Sequence, residues 1–172
     1  AQPGEVVRIV GNGGQDGLME TVDDNVSYEI GFDILGRPLE DGATLDVPQG
    51  VSVMIDAGAI LKMRRSRVGV GSTTVSVDRS GGSLLVLGTP MLLDAAGNPL
   101  EGVAGIVPGS VYVTSINDDS VGTVSSSSTI GGVPAQTGDW GGIDFRARID
   151  HAEPNRVSDE RQGQFLNWVS NA

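Results

Sequence analysis

The strand signals of this chain are short and interrupted by glycine, and this feature constrains the fold more than any other. Runs of about three to five apolar residues, rich in Val, Ile and Leu, end at glycines, and 26 glycines are spread over the 172 residues. β-Branched residues favour strands, and no long window keeps apolar residues at the spacing of a helix. The sequence therefore predicts an all-β chain.

The clearest strand predictions lie in segment 43–63. Its apolar residues alternate in three groups, separated by turns at Pro48-Gln49-Gly50 and Ala57-Gly58. Further strands are predicted within 5–10, 67–90, 110–115, 141–149 and 163–170, and "RSGGS" (79–83) is the one stretch that resembles a hairpin loop.

Side-chain size separates two all-β architectures. A β-sandwich of this length usually has longer strands and more aromatic side chains in its core, whereas aromatic residues make up 4% of this chain. Stacked ladders of small aliphatic side chains instead fill the interior of a solenoid. We expect one solenoid domain, in which residues 1–42 form an N-terminal strand or cap region. Residues 43–172 then form the coils, with loop insertions at 91–109 and 118–138.

Charge limits the partners. The formal net charge of −11 and the pI near 4.3 argue against nucleic acid and anionic membrane surfaces, which attract cationic proteins. No apolar run approaches the ~20 residues of a membrane-spanning helix, and the chain has no cysteine for disulfides or thiolate metal sites. One basic cluster is expected to be solvated on an exposed strand face: Lys62, Arg64, Arg65 and Arg67.

The motif "TGDWGGIDF" (137–145) contains one of the two tryptophans of the chain. Its glycines permit a sharp corner after the Ser/Gly-rich insertion. Trp140 is then expected to cover the edge of the preceding coil, while Ile143 and Phe145 enter the apolar ladder. The alternative is that Trp140 forms a platform for sugar stacking. The predicted motif residues are Gly138, Asp139, Trp140, Gly141 and Gly142.

The order of four stretches resembles a known family. "VPQGVSVMIDAGAILKM", "LLVLGTP", "VYVTS" and "GDWGGIDF" follow one another within residues 43–170, as in right-handed parallel β-helix regions of large exported bacterial cell-surface proteins of the planctomycete type. Segment 91–109 is longer than the usual link in that pattern. The resemblance implies a structural or adhesive scaffold at the cell surface or in an extracellular filament, without catalysis, cofactor requirement, nucleic-acid binding or membrane insertion.

The partners implied by this resemblance are further coils of the same protein, another copy stacked end to end, or a surface glycan. The segment "GQFLNWVSNA" (163–172) supports the first two, because it reads as a strand that no polar cap follows.

The alternative function is a carbohydrate-active β-helix, of the polysaccharide lyase or hydrolase kind, whose catalytic coils lie outside this segment. Such enzymes need converging carboxylates or an acid beside a base. In this sequence Asp144, Arg146, Arg148 and Asp150 alternate along one strand and predict an exposed charged stripe. The single histidine, His151, has no Ser or Cys nucleophile near it in the sequence.

Calcium is a candidate ligand of the acidic loops, because carboxylate and amide oxygens are its usual ligands. The glycine-rich stretch "GNGGQDG" (11–17) occurs once and out of register with calcium-binding β-roll repeats. The candidate calcium ligands are Asp23, Asp24, Asn117, Asp118 and Asp119.

Overall fold

A computed structural model describes residues 4–11, 27–48, 50–70, 82–89, 93–98, 109–118, 120–122, 134–145 and 167–172. Across these ranges the chain forms short strands and no helix, which confirms the all-β prediction for them. The strands are β1 (Val6–Ile9), β2 (Tyr28–Ile30), β3 (Ala43–Val47), β4 (Ser52–Asp56), β5 (Ile60–Met63), β6 (Ser66–Val70), β7 (Ser83–Leu87), β8 (Tyr112–Ser115), β9 (Trp140–Phe145) and β10 (Trp168–Ser170).

The described strands form three parallel sheets, and each sheet takes every third one of these strands. The orders are β1-β4-β7-β10, β2-β5-β8 and β3-β6-β9. All strand pairs in these sheets are parallel, and one isolated antiparallel bridge joins Phe32 to Pro38. Consecutive strands along the chain therefore belong to different sheets.

Aliphatic side chains form ladders across each sheet. Leu45 pairs with Val68, which pairs with Ile143, and in the four-stranded sheet Ile55 lies between Ile9 and Val86. These residues belong to or pack against one hydrophobic core. Full burial of each such side chain contributes about 1.5–3 kcal/mol, so the ladders are the main favourable term for the fold.

The predicted turns of segment 43–63 are confirmed. Gly50 and Gly58 have φ angles of +76° and +79°, a region that favours glycine. Val51 N donates to Pro48 O, and Ala59 N donates to Asp56 O, both at 3.1 Å. These turns carry the chain from β3 to β4 and from β4 to β5.

Other predictions have mixed outcomes. Strand β2 is not predicted by the sequence pattern, although it pairs with β5. Of the predicted hairpin loop 79–83, only Gly82 and Ser83 are described, and Ser83 begins β7, which pairs in parallel with β4. The insertions 91–109 and 118–138 are described only at 93–98, 109, 118, 120–122 and 134–138.

Two turns of nearly identical geometry were also missed. They are the Asp33 turn (32–38) and the Asp94 turn (93–98), which begin the similar stretches "FDILGRPL" and "LDAAGNPL". In each turn the Asp carboxylate accepts hydrogen bonds from the backbone N–H groups two and four residues later. The Asp N–H donates to the carbonyl four residues on, at 2.9 Å and 2.8 Å.

In the part of the chain that the structure describes, no helix has the length and apolar character to cross a membrane.

Candidate functional site

The candidate site lies at the base of the segment between β8 and β9, where the "GDW" motif meets the end of β8. Asp139 is buried, with 4% of its surface exposed. Its Oδ2 accepts hydrogen bonds from Ser115 Oγ (2.6 Å), Gln136 N (3.0 Å) and Asn117 Nδ2 (3.3 Å). One carboxylate therefore joins both ends of the segment.

Burial raises the pKa of the Asp139 carboxyl, but hydrogen bonds from Ser115, Gln136 and Asn117 and the positive charge of Arg65 outweigh burial. The pKa of Asp139 therefore lies below its ordinary value of 3.8. A carboxylate of this kind is a weak base at neutral pH, so the Ser115–Asp139 pair suits anchoring better than proton transfer.

Lys62 forms a second anchor on the same segment. The expectation that Lys62 is solvated is wrong, because only 1% of its surface is exposed. Its Nζ donates to the backbone O of Asp118 at 2.6 Å. Arg65 and Arg67, by contrast, are exposed as expected. Every residue of β5 is buried, so the apolar run around this lysine was the sequence signal for a strand covered on both faces.

The Asp118 side chain is also engaged in the loop. It accepts hydrogen bonds from Thr114 Oγ1, Ser120 N and Ser120 Oγ. Burial raises its pKa, but the hydrogen bonds from Ser120 and Thr114 and the charge of Lys62 outweigh burial, so that the pKa of Asp118 lies below its ordinary value. The loop after β8 is thus held by the ionised carboxylate of Asp118 and by the buried ammonium group of Lys62, which binds the Asp118 carbonyl.

The structure separates the motif glycines into two roles. Gly138 has φ +96° in the turn before β9, whereas Gly141 and Gly142 lie inside β9 and not at the corner. Between Ser66 and Val68 the pairing of β6 with β9 slips by one residue. A Cβ on Gly141 would lie 3.1 Å from Ser66 O, so this irregular pairing leaves little room for a side chain.

The apolar residues of the motif differ in depth. Trp140 and Ile143 are partly buried and pack against the core, as expected. Phe145 is 41% exposed, which contradicts its expected place in the ladder. It pairs with the last residue of β6, Val70, at the outer strand of its sheet, where the described residues place no further strand beside β9.

The candidate calcium ligands are not brought together within the described residues. Asp23, Asp24 and Asp119 lie outside those residues. Asn117 donates its side-chain amide to Asp139, and Asp118 makes the contacts given above. No group of three or more His, Cys, Asp or Glu side chains in the described ranges is arranged to hold a metal ion.

The residues considered for catalysis are mostly outside the described ranges: Arg146, Arg148, Asp150 and His151. Asp144 lies on β9 and is exposed, which agrees with one position of the predicted charged stripe.

Comparison with known proteins gives no match to a protein-family model, to a curated protein sequence or to a solved structure.

Proposed function

We propose that this chain is a segment of a right-handed parallel β-helix in an exported bacterial cell-surface protein, where it acts as a structural or adhesive scaffold. The observation that carries the proposal is the pairing of every third strand in parallel, which gives three sheets around one aliphatic core. Each circuit of three strands adds one strand to each sheet. Such a chain lengthens along one axis, as a stalk or spacer requires.

The anchored segment between β8 and β9 supports an adhesive role. Asp139 ties its two ends together, and Lys62 holds its first turn. A loop that is fixed at its base on a rigid sheet is suited to display contact residues, because its variation leaves the sheets intact.

The proposed partners are further coils of the same protein, a second copy stacked end to end, or a surface glycan. Strands β1 and β10 are the outer members of the four-stranded sheet among the described strands. An outer strand offers backbone groups to the next strand of a parallel sheet, so further coils or a second copy would extend the existing ladders.

Surface exposure on the producing bacterium tests the proposal. Intact cells should bind an antibody raised against this segment, and brief protease treatment of those cells should remove the signal while a cytoplasmic marker survives. Signal that appears only after lysis would contradict the proposal. Release of reducing ends or unsaturated sugars from a polysaccharide panel by the protein isolated intact from those cells would favour the carbohydrate-active alternative.

Trp140 provides a separate test of glycan contact. Because its ring packs against the core, Trp140→Ala should lower the free energy of unfolding by about 3 kcal/mol. Any binding to a glycan array should persist in the folded fraction. A variant with unchanged stability that loses glycan binding would identify Trp140 as a sugar platform.

A further inference from the structure

The Asp33 and Asp94 turns share their backbone hydrogen bonds but differ at their tips. The Asp33 turn carries Ile34 and Leu35, which are 101% and 71% exposed, whereas the Asp94 turn carries two alanines. Because the same turn forms with alanine, its geometry does not require large aliphatic side chains. Exposing them to water is unfavourable, and their burial against a partner would remove that cost.

A groove lies beside this tip. It is a partly open cavity of about 140 Å³, to which the Asp33 turn contributes Phe32, and five of its nine lining residues are aliphatic or aromatic. A cavity of roughly 150 Å³ can hold a benzene molecule, so this groove is large enough for one aliphatic side chain. The residues that give it apolar character are Ile30, Phe32, Leu39, Ala43 and Leu45.

The charge around the tip differs from that of the chain as a whole. We define the Asp33 patch as residues 29–45 and 64–67, which contain four arginines and four carboxylates. Several of these pair within the patch, as Arg37 does with Asp33 and Arg65 with Asp41. The patch is therefore formally neutral, whereas the whole chain carries −11.

Two copies of so acidic a chain repel one another over most of their surface, but not where two neutral patches meet. We propose that the Asp33 patch is a self-docking surface, in which Ile34 or Leu35 of one copy enters the groove of a second copy. The tip and the groove are neighbours on one patch, so a two-fold axis satisfies both at once. Such an isologous contact closes at two copies, unlike end-to-end stacking, which continues.

Sedimentation velocity over a wide range of protein concentration tests this proposal. The protein should show a monomer–dimer equilibrium that stops at two copies. Ile34→Ser with Leu35→Ser should weaken the dimer at least about tenfold, because two buried aliphatic side chains are lost. The matched control is Ala95→Ser with Ala96→Ser on the Asp94 turn, which should leave the dimer unchanged. Circular dichroism should be the same for all three proteins, since the altered side chains are exposed.

A protein that stays monomeric at high concentration would overturn the proposal, as would equal dimerisation of the Ile34→Ser, Leu35→Ser variant. Growth beyond two copies that persists in this variant would also overturn it. That last result would leave the proposed scaffold function intact, because end-to-end stacking uses the backbone groups of the outer strands and not the side chains of Ile34 and Leu35.

Discussion

Asp139 and Asp33 each use one carboxylate to organise a turn, but they connect different parts of the chain. Asp139 is buried and bonds to Ser115, which is 24 residues away. Asp33 keeps 24% of its side chain exposed, and its side-chain bonds to described residues stay within its own turn, two and four positions later. The first carboxylate closes a long loop on the sheets, and the second shapes a local turn that occurs again at Asp94.

The comparison shows that an Asp carboxylate contributes more to the free energy of unfolding where it is buried and joins distant residues. A bond that closes a long segment offsets loop-closure entropy, and the buried Ser115 hydroxyl has little water to replace a lost acceptor. A bond within five residues closes almost no loop, and solvent can satisfy its groups. The predictions below test these anchors, from the largest expected effect on stability to the smallest.

The largest effect is expected for Asp139→Ala. The variant leaves the buried Ser115 hydroxyl and the Gln136 N–H without their acceptor, so the free energy of unfolding should fall by about 2–3 kcal/mol. Asp139→Asn, which keeps one acceptor oxygen, should lose less. Asp33→Ala is the matched control and should not differ measurably from the original protein in urea unfolding. Equal losses at both positions would remove the distinction between the two turns.

The pH dependence of stability should report the ionised state of Asp139. Because the pKa of Asp139 is lowered on folding, its carboxylate stabilises the protein fully above the ordinary value of 3.8. That contribution is lost as the pH falls from 3.8 through the lower pKa that Asp139 has in the folded protein. Unfolding free energies measured from about pH 6 to about pH 3 should decline less steeply for Asp139→Asn than for the original protein. A curve parallel to the original would show that Asp139 carries no such linkage.

The smallest effect is expected from calcium. Asp118 and Asn117 already have partners, so millimolar calcium should raise the melting temperature only slightly, through the remaining loop oxygens. The β signal in circular dichroism should survive a chelator. No shift with calcium would remove the metal hypothesis, and loss of the β signal in chelator would show that the metal is required for folding.

Much of the fold could be predicted because its strands are marked locally. Strands β3, β4 and β5 follow from alternating aliphatic residues and from glycine turns with positive φ. Strand β2 was missed because three residues give too short an alternation, and its identity depends on pairing with β5. The turn repeat D-x-x-G-x-P-L is visible in the sequence, with Asp and Gly at the positions that form each turn.

The site was less predictable because its partners are distant or belong to the backbone. The burial of Lys62 depends on the carbonyl of Asp118, which no side-chain pattern reveals. The motif "GDW" drew attention to Trp140, yet the residue that joins both ends of the loop is its neighbour Asp139.

Disulfide trapping tests the parallel pairing of the strands most directly, because the chain has no cysteine of its own. Ser52 and Ser83 are paired across β4 and β7, with hydroxyl oxygens 2.6 Å apart. Parallel pairing predicts that Ser52→Cys with Ser83→Cys forms an intramolecular disulfide on mild oxidation, since neighbouring strands lie about 4.8 Å apart. Ser52→Cys with Leu87→Cys, the pair that antiparallel strands would bring together, should stay reduced by mass spectrometry. The reverse result, with the second pair linked and the first free, would contradict the account.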